Sequence, residues 1–482
     1  MTSACCTFPD EPTESVCPVC LATIPAVRRA VGDAVHLVKT CRSHGTFSVP
    51  VWRGLASYVR WGEGARALAR PPVCATPVDK GCPHDCGLCP DHRQQSCCVL
   101  LEVTSRCDLA CPVCFASASR HGRDASLAEI DGWLDALAEA TGARVHVQIS
   151  GGEPTVRDDL PEIVRRVRAR GFDFVQLNTN GVRLAQDPDY VDALAAAGLD
   201  CVFLQFDGVS DAVHRRIRGA RLAALKELAV ARCGNVGIGV VLVPTVVPGV
   251  NDREIGAIVD FAVARLPEVR AVHFQPISYF GRCPEPSAAT RITLPEIVDR
   301  LVAHGCGTLR FDDFRPGSVE NPYCSFSGRF RVDGSGRLRA ERDAPRSCCG
   351  VAAEPGPPAG EAGSCCSPAR PSADVARARR YVAGQWRAPE RSDAAGLDAF
   401  DTVLAARSRT LGLSGMAFQD AWTLDLDRVR QCHIHVVAPD RRIVPFCAYN
   451  LTDLSGRSLY RPAAPARPAR AAVVAARVLA GA

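Results

Sequence analysis

The chain has 482 residues, 47% of them hydrophobic and 23% charged, with a net charge of +5. That length suits roughly three domains of ~150 residues each, and no basic stripe interleaved with aromatics marks a nucleic-acid partner. No apolar run reaches the ~18 residues that span a bilayer, and the opening MTSACCTFPDEPTE lacks an apolar signal core, so the expected location is cytoplasmic.

The 25 cysteines are then informative. In a reducing compartment, closely spaced cysteines bind metal or do chemistry more often than they form disulfides. Residues 1–65 carry Cys17 and Cys20, then Cys41 and His44. This is a rubredoxin-like or zinc-ribbon spacing, a closed tetrahedral site for one iron or zinc. An all-thiolate iron site would draw its fourth ligand from Cys5, Cys6 or Cys74. Residues 74–98 contain Cys82, Cys86 and Cys89 among turn residues. Cys97 or Cys98 is the expected fourth ligand of an auxiliary [4Fe–4S] cluster there, with a zinc knuckle as the alternative because the two spacings overlap.

Residues 99–315 alternate strand and helix patterns. Short β-rich runs fall at 99–104, 145–150, 172–178, 201–207, 236–244 and 271–278. Between them lie helical stretches, such as 126–140 with Ser126 as N-cap and Glu129 three residues on, and 160–171 with a terminal glycine. Six β-then-α units predict a parallel sheet with right-handed crossovers. His146 and Gln148, and likewise His273 and Gln275, alternate on their strands. They point inward, to touch substrate or each other.

Beyond the repeats, residues 316–344 and 396–460 form a C-terminal region. Cys432 and Cys447 face each other across an expected hairpin, with Cys324 as a third ligand and Cys348 or Cys349 as a fourth. The expectation is a second auxiliary cluster, against buried free thiols. Residues 345–395 read as a Pro/Gly/Cys-containing flexible linker. The final RPARAAVVAARVLAGA reads as a solvated tail helix. Cys201, Cys233 and Cys306 fall on core positions, Cys283 stays unassigned, and His433 and His435 read as solvated.

The loop after the first repeating strand holds Cys107, Cys111 and Cys114 in a C-x3-C-x2-C pattern. Ligands of such sheets sit beyond the carboxyl ends of the strands. Three thiolates on a four-iron cluster leave one iron open, and an open position distinguishes a reactive metal site from a structural one. A three-cysteine zinc loop is the bland reading.

The pattern, followed by Phe115, resembles the radical S-adenosylmethionine (SAM) superfamily. SGGEPT at 150–155, LNTNG at 177–181, LQFDG at 204–208 and VLVPTVVPGVND follow in order. The resemblance implies a partial (βα)6 TIM-like barrel with small cysteine-rich metal-binding N-terminal and C-terminal extensions. It implies a SAM-binding [4Fe–4S] cluster on Cys107, Cys111 and Cys114, and cofactor contacts from Phe115, Gly151, Gly152, Glu153, Asn178, Asn180, Gln205 and Asp207. Glu153 would accept from the SAM ammonium. Reductive cleavage of SAM would yield a 5′-deoxyadenosyl radical that attacks an unactivated sp3 carbon. The N-terminal and 82–89 motifs, FQPISYFGR (274–282) and the C-terminal PFCAYN are similar to the tetraether lipid synthase family, whose relatives include radical methylases of a pterin coenzyme. That likeness implies a mononuclear iron or zinc, one or two auxiliary [4Fe–4S] clusters, and C–C bond formation between alkyl chains, with methyl transfer to a small heterocycle as the alternative. The implied partners are a ferredoxin or flavodoxin as low-potential reductant and a hydrophobic or small-molecule substrate, with room for peripheral membrane contact. A reading of another class is a soft-metal or metalloid-binding protein using the vicinal pairs Cys5–Cys6, Cys97–Cys98, Cys348–Cys349 and Cys365–Cys366.

Overall fold

The computed structural model describes residues 8–63, 68–142, 145–283, 291–341, 371–389 and 409–461. The first unit is an antiparallel sheet of β1 (Glu11–Val16), β2 (Thr23–Val31), β3 (Ala34–Cys41) and β4 (Gly45–Arg53), paired in chain order. Alternate residues of β3 are buried, as expected for a sheet with one covered face. Leu37, Phe47 and Val49 pack there with Cys17 and Cys41. The helix Leu55–Gly62 turns Tyr58 and Trp61 inward. Tyr58 stacks on Tyr323 at 4.1 Å between centroids, and Trp52 meets both rings edge-on. This aromatic cluster joins the small sheet to the rest of the chain.

All six expected strands are present: β5 (Cys98–Thr104), β6 (His146–Gly151), β7 (Val175–Thr179), β8 (Cys201–Gln205), β9 (Gly239–Val243) and, after the short β10 (Thr245–Val246), β11 (Val269–Pro276). Neighbours in this order pair in parallel, with β10 off the main path beside β11. The crossover helix Leu127–Thr141 opens with the Ser126–Glu129 capping box. The helix Leu160–Ala169 is followed by Gly171 at φ 81°.

Outward residues of these strands are apolar. Val147, Ile149, Leu177, Val202 and Leu204 join the main core beneath the helices. Inward residues are polar on several strands, among them Gln148, Gln176, Asn178 and Gln205. The alternation follows from the two-residue period of a strand.

The C-terminal region extends this sheet at both ends. β14 (Thr410–Met416) runs parallel to β11, and β12 (Ser325–Val332) and β13 (Leu338–Ala340) follow antiparallel. At the other end β15 (Ile434–Val437) runs parallel to β5, with β16 (Ile443–Pro445) as its hairpin partner. Residues from β5 through β9, β11, β12, β14 and the start of β15 border one cavity of about 1070 Å³, so the sheet wraps around it. The result is a mixed α/β fold around a partial barrel.

The expected linker 345–395 is corrected in part: Pro371–Trp386 is a helix. It lies at the amino ends of the barrel strands. Arg379 donates to the Ser96 carbonyl, Gln385 donates to the Arg270 carbonyl at 3.1 Å, and a Cβ on Gly239 would sit 2.1 Å from the Trp386 carbonyl. Cys348, Cys349, Cys365 and Cys366 lie outside the described residues, as do Cys5, Cys6 and the terminal tail. No helix among the described residues is long and apolar enough to cross a membrane.

Trp52→Ala removes the central ring of the aromatic joint, and a cost of about 3–5 kcal/mol is expected. Denaturant unfolding followed by tryptophan fluorescence and by far-UV circular dichroism measures it.

Candidate active site

The loop from Arg106 to Phe115 is clamped by backbone. Cys107 N donates to Ser119 O at 2.9 Å, and Cys114 exchanges a bond pair with Arg282 at 2.7 and 2.9 Å. The Arg282 guanidinium adds a bond to Cys111 O at 2.6 Å. Cys111 is buried, while Cys107 and Cys114 are half-buried. Burial pushes the Cys107 and Cys111 thiols up, so thiolates there call for a cation to offset the lost hydration.

Around one tetrahedral ion with metal–sulfur bonds of ≈ 2.3 Å, sulfurs stand about 3.8 Å apart. Among the described residues, only Cys17, Cys20, Cys41 and His44 bring three or more ligand atoms all within 4.8 Å of one another.

The SGGE segment presses onto this loop. Gly152 N donates to Thr104 O and Glu153 N to Arg106 O, both at 2.8 Å. A Cβ on Gly151 would lie 2.1 Å from Thr104 O, and one on Gly152 would lie 2.1 Å from Arg106 O. Only glycine permits that approach.

Glu153 accepts four hydrogen bonds from its neighbours. Its Oε1 accepts from Thr155 N (3.1 Å), Thr155 Oγ1 (2.7 Å) and Thr179 Oγ1 (2.6 Å), and its Oε2 accepts from Asn180 N (2.6 Å). The carboxylate is 1% exposed and ties the ends of β6 and β7 together, with Oε2 taking a single donor. Asn180 donates to Asp108 Oδ1 at 2.7 Å, which links β7 to the cysteine loop. The buried Lys226 ammonium donates to Asn180 O.

Asp207 is likewise occupied. Arg218 Nε and Nη2 reach its two oxygens at 2.6 and 2.8 Å, and Thr245 N donates at 3.0 Å. Arg218 also donates to Val113 O at 3.2 Å, so Asp207 holds a guanidinium against the cysteine loop. Asn178, Gln205, Arg218 and Phe115 border the cavity. The Oε1 atoms of Gln176 and Gln205 are buried without a hydrogen-bond partner. Arg218, Arg282 and Lys226 escaped sequence reasoning, because a basic residue on a crossover helix or loop looks like any surface cation.

The other thiols sort differently from expectation. Cys82 and Cys86 have sulfurs 3.6 Å apart, and Cys89 borders the same small cavity with them and His92. Cys97 and Cys98 do not close that site. Cys97 packs with Ala69, Val319 and Val375, and Cys98 turns into the barrel, 3.7 Å from Gln148 Oε1 and 3.6 Å from Gln176 Nε2. Both also border the cavity, where β5 begins.

Cys324, Cys432 and Cys447 come together beside Arg428. Burial raises all three thiols; Cys324 opposes ionisation of Cys432 and Cys447, and Cys447 opposes that of Cys432. Arg428 Nε donates to Cys324 Sγ at 3.3 Å.

His433 and His435 are not solvated. His433 is 12% exposed, with Nδ1 3.7 Å from Glu320 Oε2, and His435 is buried against His92 with their Nε2 atoms 3.1 Å apart. Cys201 and Cys233 are in the core, whereas Cys306 is exposed at φ 45°. At the N-terminal site, His44 Nδ1 stands 3.5 Å from Cys17 Sγ and 3.4 Å from Cys41 Sγ, a spacing suited to one ion.

Cys41→Ser is expected to remove one metal equivalent per chain and to leave the iron of the other sites, by elemental analysis. His273 borders the cavity and meets Ser414 Oγ at 2.9 Å, and burial pushes its pKa down to about 4. The unfolded chain takes up that proton first, near pH 6.5. Stability therefore falls as pH drops from 6.5 toward 4, by up to about 1.4 kcal/mol per pH unit. His273→Gln is expected to flatten this acid limb in denaturant titrations at pH 7 and pH 5.

Residues 101–262 match the radical SAM superfamily, and residues 10–53 match the HMPTM N-terminal zinc ribbon domain. The chain is 32% identical over 474 residues to the 7,8-dihydro-6-hydroxymethylpterin dimethyltransferase of Methanocaldococcus jannaschii, covering 92% of this chain and 93% of that one. It is 44% identical over 126 residues to a probable GTP 3′,8-cyclase of Methanopyrus kandleri, across 26% of this chain and 39% of that one. It is 35% identical over 189 residues to the PqqA peptide cyclase of Methylorubrum populi, across 38% and 48%. With a match of that extent to the first relative, and with the cysteine loop and its glycine strap at the carboxyl ends of a parallel barrel, this chain belongs to the radical SAM superfamily and, within it, to the family of the Methanocaldococcus jannaschii protein.

Proposed function

We propose that this radical SAM enzyme transfers a methyl group to a carbon of a small nitrogen heterocycle of the pterin type. The observation that carries the reading is the polar inner wall of the cavity. His146, Gln148, Gln176, Gln205 and His273 all border it, and the Oε1 atoms of Gln176 and Gln205 have no partner. A buried polar group left unpaired costs about 1–3 kcal/mol. Alkyl chains would leave these two Oε1 atoms unpaired, which weighs against coupling of two lipid chain ends. A heterocycle with ring N–H groups satisfies them. The relative that aligns over 92% of the chain is named for a pterin.

Radical SAM proteins bind a [4Fe–4S] cluster and SAM, which supply one-electron cleavage of SAM and a radical able to take hydrogen from carbon. In this reading Cys107, Cys111 and Cys114 hold the cluster. The bare backbone at Gly151 and Gly152 offers close approach, and Asn178 and Gln205 face the ligand. Arg218 sets positive charge beside the thiolates, where it favours their charged form. Phe115 packs toward Phe446, with centroids 5.9 Å apart, and helps to exclude water. The reductant is a low-potential ferredoxin or flavodoxin. The Cys82, Cys86 and Cys89 group and the Cys324, Cys432 and Cys447 group hold auxiliary metal.

Of the vicinal pairs in the soft-metal reading, Cys97–Cys98 alone lies among the described residues, and both thiols border the cavity.

Reconstituted protein with dithionite, SAM and a 7,8-dihydropterin is expected to release 5′-deoxyadenosine and a product heavier by one methylene, by anaerobic mass spectrometry. The Cys107/Cys111/Cys114→Ala variant is expected to form neither. Cleavage of SAM without any methylated pterin would remove the heterocycle reading and keep the radical one.

A further inference from the structure

Four carboxylates border the cavity: Asp312, Asp313, Glu320 and Glu341. Glu320 alone among them is buried, at 7% exposure. Its Oε1 accepts from the Ser325 hydroxyl. Its Oε2 lies 3.7 Å from His433 Nδ1, beyond hydrogen-bond reach. No arginine or lysine pairs with it among the described residues. A Cβ on Gly317 would collide with the carboxylate, so the bare glycine makes the cradle in which it lies. Glu320 shares the cavity wall with His273 of β11 and with Cys97, just before β5.

Two carboxylate oxygens offer about four acceptor sites, and the hydroxyl uses one. A buried carboxylate with so few donors is costly. A ligand that presents two parallel N–H groups offsets that cost with a bidentate, charge-assisted contact. The fused 2-amino-4-oxopyrimidine ring of a pterin has such an edge, in its ring N–H and its neighbouring exocyclic amine.

Resting on the heterocycle reading above, we propose that Glu320 is the substrate-anchoring residue, accepting the N–H pair of a 2-amino-4-oxopyrimidine edge. Ser325 orients the carboxylate from behind, and His433 flanks its free oxygen. Gln176 and Gln205, on β7 and β8, take further N–H donors of the same ligand. The anchor selects against a 2-oxo analogue, because that replacement turns a carbonyl toward the carboxylate.

The test is equilibrium dialysis of the anaerobic, iron-loaded full chain with SAM. The two probes are 6-hydroxymethyl-7,8-dihydropterin and its 2-oxo counterpart, the corresponding dihydrolumazine. The wild type is expected to bind the pterin at least tenfold more tightly than the lumazine. Glu320→Gln is expected to lose at least tenfold in pterin affinity and to bring the ratio near one, since its amide donates to the 2-oxo group. Glu320→Asp is expected to bind the pterin more weakly while keeping the preference, and it stands in should the glutamine variant lose iron or fail to fold. A wild-type ratio near one, or a ratio unchanged in Glu320→Gln, overturns the anchor and leaves the heterocycle reading standing. Binding of neither probe by the wild type overturns both.

Discussion

Two backbone hydrogen bonds, from Gly152 N to Thr104 O and from Glu153 N to Arg106 O, carry the site. They seat the end of β6 on the root of the cysteine loop at a distance that a side chain on either glycine would prevent. The three thiols are thereby held at the carboxyl edge of the sheet, where ligands of parallel sheets gather. Glu153 secures the arrangement from below by spending both oxygens on β6 and β7 donors. Asn180 and Asp108 carry the same restraint to the loop. The acidic residue of this motif thus ties β6 to β7.

The barrel separates two solvents by strand alternation. Outward side chains meet helices and are apolar, and inward ones meet the cavity and are largely amides and imidazoles. Burial drives His146 and His273 toward their neutral forms, with pKa values of about 3 and about 4. The strand-borne amides and imidazoles therefore offer neutral hydrogen-bonding groups to the cavity. Glu320 and the Arg218–Asp207 pair are the charged groups set firmly within it.

The extensions complete the cavity. The Pro371–Trp386 helix covers the amino ends of the strands, and the C-terminal strands β12, β14 and β15 enlarge the wall at both edges of the six-strand core. Cys324, Cys432 and Cys447 arrive on these added pieces, next to the cavity wall at Ser325, His433 and Phe446. Metal at that group would stand beside the substrate space, whereas Cys17, Cys20, Cys41 and His44 sit in the separate N-terminal sheet.

The sequence by itself determined what is local: six strands with their crossover helices, the Ser126 capping box, the spacing of the Cys107 loop, and the Cys17–His44 quartet. Each is set by neighbours within a few residues, through periodicity, capping or ligand reach. Tertiary structure decided what depends on distant pairing. Cys98 faces Gln148 and Gln176 because β5 lies beside β6. Glu153 meets Thr179 and Asn180 because β7 lies next to it. His433 meets Glu320, 113 positions away in the chain, only because β15 adds to the edge at β5. A polar side chain carries no mark of which partner will reach it, and that partner is set by the packing of the whole sheet.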